Sequence, residues 1–164
     1  MQTDVAILIV GDLALAAILV AIAAVDFRRQ VIPDPLNMAL AASGLGFQLI
    51  IQRENAPMQL LVAALTLAVF WALRRGHFLL TGRIGLGLGD VKMLGAAALW
   101  INPLLLPALL FIASAAALLF VGGQVVATGP AAARMRVPFG PFIALGLACS
   151  WLLEQFVGLN LGMP

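Results

Sequence analysis

Apolar residues fall in six runs, at residues 5–25, 36–51, 58–73, 91–101, 104–126 and 139–157. Short polar or proline-bearing connections divide them. Ile32-Pro33-Asp34-Pro35 ends the first connection, Gln52-Arg53-Glu54-Asn55 with Pro57 makes the second, and Asn102-Pro103 makes a tight turn. A helix rises about 1.5 Å per residue and a bilayer core is about 30 Å thick, so roughly 20 apolar residues cross it. The first, fifth and sixth runs meet that length. The second and third are short, and the second borrows residues from the Pro33 and Pro35 turn. The fourth spans only if residues 85–90 also lie at membrane depth. The pattern predicts an all-α, polytopic membrane protein, a bundle of about six transmembrane helices whose fourth is short and led by glycines. Residues 1–164 are read as one domain.

Composition agrees with that solvent. The chain is 63% hydrophobic and 10% charged, with a mean hydropathy of +1.11. A soluble domain carries roughly a quarter charged residues, so this surface faces lipid. The first run is read as a retained helix, not a cleavable signal, because Asp4 precedes it and no small-residue cleavage site follows. Cys149 is the only cysteine, which excludes an intramolecular disulfide and a cysteine-pair zinc site. No metal or other cofactor is expected. A net charge of +2 is too weak a field to imply nucleic acid.

Charge placement sets an orientation. Threading the membrane at each run puts Arg28, Arg29, Arg74, Arg75, Arg83, Lys92, Arg134 and Arg136 on one side and Arg53 on the other. That bias predicts basic loops in the cytoplasm and both termini outside. His77 reads as a solvated residue of one basic loop.

Two acids need a reason. Asp26 closes the first run and Asp90 opens the fourth, so both fall at the cytoplasmic boundary. Ionisable groups at membrane depth are costly and face a cavity or a partner. Two carboxyl groups sharing one proton can activate water and protonate a peptide carbonyl, the proton belonging to the pair. Three glycines precede Asp90 in Gly85-Leu86-Gly87-Leu88-Gly89-Asp90, as irregular backbone lining a cavity requires. Bland readings stand beside these. Asp90 also suits a helix cap, Asp26 could pair with Arg28 or Arg29, and Gly85 and Gly89 could pack helices. A phosphate loop lacks its Gly-Lys-Ser/Thr. Asp12, inside the first run, has no evident partner, and Glu154 reads as an outer-boundary residue.

Gly87-Leu88-Gly89-Asp90-Val91-Lys92 resembles the GxGD motif of the type IV prepilin peptidases, which are membrane aspartic proteases. Asp26-Phe27-Arg28-Arg29-Gln30-Val31-Ile32-Pro33 is similar to the segment bearing that family's other aspartate. Val137-Pro138-Phe139-Gly140-Pro141-Phe142 is similar to its Pro-Phe-Gly-Pro-Phe segment. The resemblance implies that Asp26 and Asp90 are the catalytic pair and that Gly87, Gly89, Lys92, Pro138 and Gly140 shape the site. Lys92 suits a topology anchor better than a catalytic role, and Pro138 and Gly140 suit a bend near the site. The implied substrate is a prepilin, a short basic leader followed by an apolar helix, and the implied location is the bacterial inner membrane. Without a cysteine pair the chain resembles the short, peptidase-only branch serving Flp or Tad-type pili, for which methyltransferase activity is not expected. Asp34 stands where the family often has Asn, and the Pro-Ala-Leu motif of the presenilin branch is missing. The alternative from another class is a small transporter or a pilus-assembly scaffold; in a transporter the two acids would bind a cation or proton.

Overall fold

The computed structural model describes residues 2–131 and 137–157, and of residues 2–7 and 157 the backbone alone. Arg134 and Arg136, counted on the basic side above, lie outside the described residues. The described chain is helical: α1 Gln2–Arg29, α2 Asp34–Ile51, α3 Ala56–Thr81, α4 Leu88–Ala97, α5 Leu106–Thr128 and α6 Gly140–Val157, with a 3-10 turn at Pro103–Leu105. Three stretches are long and apolar enough to cross a bilayer, Leu8–Arg29, Ala56–Thr81 and Pro103–Thr128. Helices α2 and α6 have 18 residues each, a rise of about 27 Å that nearly matches the hydrocarbon thickness. Leu118, Leu119, Val126 and Phe156 point outward, as lipid requires. This is a polytopic helical membrane protein.

Helices α1, α2, α4 and α6 form the centre, with α3 flanking α4 and α5 flanking α6. The face of α1 that carries Leu15, Leu19, Ile22 and Asp26 is buried, at the spacing of one helical stripe. Phe47, Trp100 and Trp151 pack ring against ring away from Asp26, with centroids 5.2–5.7 Å apart. Small residues let the outer pair close. A Cβ at Gly146 of α6 would stand 2.5 Å from the Leu109 carbonyl oxygen of α5. Backbone cannot rotate away as a side chain can, so Gly146→Val must part the two helices, at about 1–3 kcal/mol. We expect that variant to melt several degrees lower in detergent, while Gly46→Ala, with open space at its Cβ, melts no lower than wild type.

Two boundaries differ from the sequence pattern. Helix α3 does not stop near Leu73. It carries Arg74, Arg75 and His77 as helical residues until Gly82, whose φ of 67° ends it as its N–H donates to the Phe78 carbonyl. His77 is therefore on a helix, not in a loop. Its Nδ1 lies 3.0 Å from the Arg83 carbonyl, and Phe78, Leu79 and Leu80 supply the apolar continuation that sustains the helix.

Helix α4 ends at Ala97 and not near Ile101. Ten residues rise about 15 Å, half the hydrocarbon core. A helix end there leaves carbonyls that lipid cannot satisfy. Two glutamines answer this. Gln59 Nε2 donates to the Ala98 and Ile101 carbonyls, both at 2.6 Å, and Gln48 Nε2 donates to Leu99 at 3.2 Å. At the same end Trp151 Nε1 donates to Asp12 Oδ1 at 2.7 Å, and the Asn102 N–H to Glu154 Oε2 at 2.8 Å. Asp12 thus has its partner.

Candidate active site

The opposite end of the bundle gathers the C-terminus of α1 and the N-termini of α2, α4 and α6. Each of the two singled-out aspartates is fixed there by a backbone N–H. Asp26, 3% exposed in the last turn but one of α1, accepts the Gly140 N–H at 2.9 Å through Oδ2. Among the described residues it forms no ion pair with Arg28 or Arg29. Asp90 stands in the first turn of α4, three residues after the N-cap Gly87, and accepts the Gly87 N–H. That reach from the third helical position back to the cap is the return half of a capping box. The capping reading of Asp90 is therefore correct, in this reversed sense.

Both clamps depend on glycine. A Cβ at Gly87 would lie 2.7 Å from Asp90 Oδ2, and one at Gly140 2.8 Å from Asp26 Oδ2. Ile32 lies against both segments. A Cβ at Gly89 would meet Ile32 Cβ at 3.0 Å, and one at Gly140 would meet its Cδ1 at 2.9 Å. The aspartates, 64 positions apart in the chain, therefore share one neighbourhood.

The two groups also act on each other electrostatically. Helix α4 is too short to span, and Asp90 sits at its open end. Burial, first, and the nearby Asp26 charge, second, push the Asp90 carboxyl up to about 6, against the pull of the Gly87 N–H. The Asp90 carboxyl thus keeps its proton to a higher pH than an ordinary aspartate. The arrangement can both accept and donate a proton.

Residues not singled out from sequence pin the glycine-rich loop. Asn37 of α2, 5% exposed, donates from Nδ2 to the Gly89 carbonyl at 3.2 Å. Arg74 of α3 donates from Nε to Leu86 at 3.0 Å. A lone Asn within an apolar run was the available signal for the first. Lys92 pairs with Asp34 Oδ1 at 2.6 Å, tying the starts of α2 and α4 together. Pro138 lies in the irregular segment that leads into α6, and Gly140 begins that helix. Among the described residues no three His, Cys, Asp or Glu side chains cluster as metal ligands would.

The type IV leader peptidase family matches residues 13–122, a stretch that includes both aspartates. The chain belongs to that family. Similar proteins include the prepilin leader peptidase/N-methyltransferases of Aeromonas salmonicida (strain A449), Dickeya chrysanthemi and Escherichia coli (strain K12). The first is 30% identical over 141 residues, covering 85% of this chain and 48% of the relative. The second is 38% identical over 110 residues, 65% of this chain and 38% of the relative. The third is 33% identical over 126 residues, 74% and 53% respectively. This leader peptidase family member spans about half the length of the curated relatives it matches. No solved structure matches it.

Proposed function

We propose that this chain is an aspartic endopeptidase of the membrane that removes the basic leader from prepilins of the Flp type. Asp26 and Asp90 are its catalytic pair. The observation that carries the reading is that a buried and a half-buried carboxyl, each seated on a glycine N–H, stand near enough for the charge of Asp26 to raise the Asp90 carboxyl. In the reaction the ionised member takes a proton from water as that water attacks the scissile carbonyl. The protonated member donates to the carbonyl oxygen, and the tetrahedral intermediate then collapses with the proton passing to the leaving amine. Gly87, Gly89 and Gly140 let backbone approach the carboxyls, while Pro138 shapes the entry to α6. Lys92 acts through Asp34 to hold α2 against α4.

The basic residues Arg28, Arg29, Arg74, Arg75, Arg83 and Lys92 support placing this end at the cytoplasmic face of the inner membrane, with both termini outside. A cytoplasmic site meets the leader before export.

Co-expression with a prepilin tests this directly. The pilin should gain mobility by one leader length, and only when both aspartates are present. An unshifted pilin beside folded wild-type enzyme would overturn the reading. The proton held at the pair also sets a pH dependence. Raising pH through about 6 removes the shared proton, so cleavage should fall on the alkaline side with an apparent pKa near 6. A rate still flat to pH 8, with binding saturated, would exclude a proton-sharing pair.

A further inference from the structure

The short fourth helix leaves a slot beside the site. Helices α2 and α3 both rest on α4 but scarcely touch each other. Between them runs an apolar groove of about 370 Å³, floored by Gly95 and Ala96 and walled by Met38, Ala41, Leu60 and Ala64. The Asp34–Lys92 ion pair closes the end nearest Asp90. The volume suits the side chains along one face of a helix, and the small residues let a helix backbone approach closely.

One polar atom separates this slot from an ordinary lipid-facing groove. Asn37 lines it, and its Oδ1 is buried without a partner. The side chain's Nδ2 is already committed to the Gly89 carbonyl beside Asp90, so the free oxygen can only accept. An unmet buried acceptor is costly. An acyl chain has no donor to offer. The first turn of a helix does, because its leading N–H groups have no partner within the helix. A second apolar groove, of about 230 Å³ between α3 and α5, has no such orphan among the described residues.

We infer that the slot between α2 and α3 receives the apolar helix of the substrate, its N-terminal first turn donating to Asn37 Oδ1. The inference rests on the prepilin reading above and adds the docking path and polarity. A helix seated this way has its N-terminus at the depth of Asp90, with the leader and the scissile bond just beyond.

Photocrosslinking in native membranes tests it. A benzophenone side chain is placed at Met38 or Leu60 in the slot, or at Leu65 in the second groove or Phe111 on α5. The chain also carries Asp90→Asn, and is presented with an uncleaved prepilin. We expect adducts with the prepilin helix from Met38 and Leu60 at least tenfold above those from Leu65 and Phe111. Equal yields, or adducts with lipid alone, overturn the inference. In the otherwise wild-type enzyme, Ala64→Phe fills the slot from an exposed position. It should raise KM for prepilin about tenfold while a leader-junction peptide without the helix is cleaved within twofold of wild type. Unchanged KM for prepilin, or equal loss on both substrates, counts against the slot. Wild-type enzyme that cleaves neither substrate defeats the peptidase reading instead, and the crosslink pattern still decides the docking.

Discussion

Asp26→Asn and Asp90→Asn are each expected to abolish leader cleavage, by about 10³-fold or more, while leaving the protein inserted and folded. The size follows from what each substitution removes. General acid or base catalysis by one positioned group contributes about 10²–10⁴-fold, and neither member of a proton-sharing pair can do the other's work. Asparagine keeps the shape and can still accept the Gly140 or Gly87 N–H through its amide oxygen. The backbone clamps therefore survive, and a loss of activity reports the missing proton site. Helical content and melting temperature in detergent should match wild type, and a cleavage time course with purified variants measures the effect. Asp26→Asn also removes one of the two influences that raise Asp90, so any residual activity of that variant should respond to pH differently from wild type. Cleavage above a hundredth of the wild-type rate by either variant would dismiss the pair.

The placement of these acids was legible because parity in a membrane is a strong constraint. One acid at the end of the first apolar run and one at the start of the fourth must lie at the same face if each intervening run crosses. The glycines before Asp90 likewise announced a helix start with close backbone approach. What escaped was tertiary hydrogen bonding. Gln59 satisfies carbonyls 39 and 42 positions away, and Trp151 reaches Asp12 across 139. Such partnerships carry no periodicity, since a single polar residue in an apolar run shows only that some partner exists. Gln48, Gln59 and Asn37 were all visible as polar interruptions, yet their partners depend on which helices pack. The end of α4 could not be read for the same reason. Residues 98–101 are as apolar as those before them, and only the glutamines of α2 and α3 make a terminus affordable there. Helix α3 outran its apolar run because arginines at a helix end cost little where they face water. Hydropathy marks where lipid ends, not where a helix does.

Gly140→Ala and Gly87→Ala are the second pair of substitutions expected to have large effects, and they test how the carboxyls are held. At Gly140 the added methyl would stand 2.8 Å from Asp26 Oδ2, 3.2 Å from its Cγ and 2.9 Å from Ile32 Cδ1. Neither neighbour yields freely. Ile32 is buried, and turning the carboxylate aside breaks its bond to the Gly140 N–H. A hydrogen bond to a charged group is worth about 1.5–3 kcal/mol, and a displaced reacting group can cost about 10²-fold in rate. We therefore expect kcat to fall roughly 30- to 100-fold in each variant, with KM within twofold because no docking surface changes. The equivalent methyl at Gly87 would meet Asp90 Oδ2 at 2.7 Å, which moves the other member of the pair. Combining the two should cost little more than either alone, since one misplaced carboxyl already disables a pair that works as a unit. Gly46→Ala, with nothing near its Cβ, serves as the helix control and should retain full activity. If Gly140→Ala cleaves within twofold of wild type, Asp26 tolerates displacement that a group activating water could not, and its place in the chemistry falls with it.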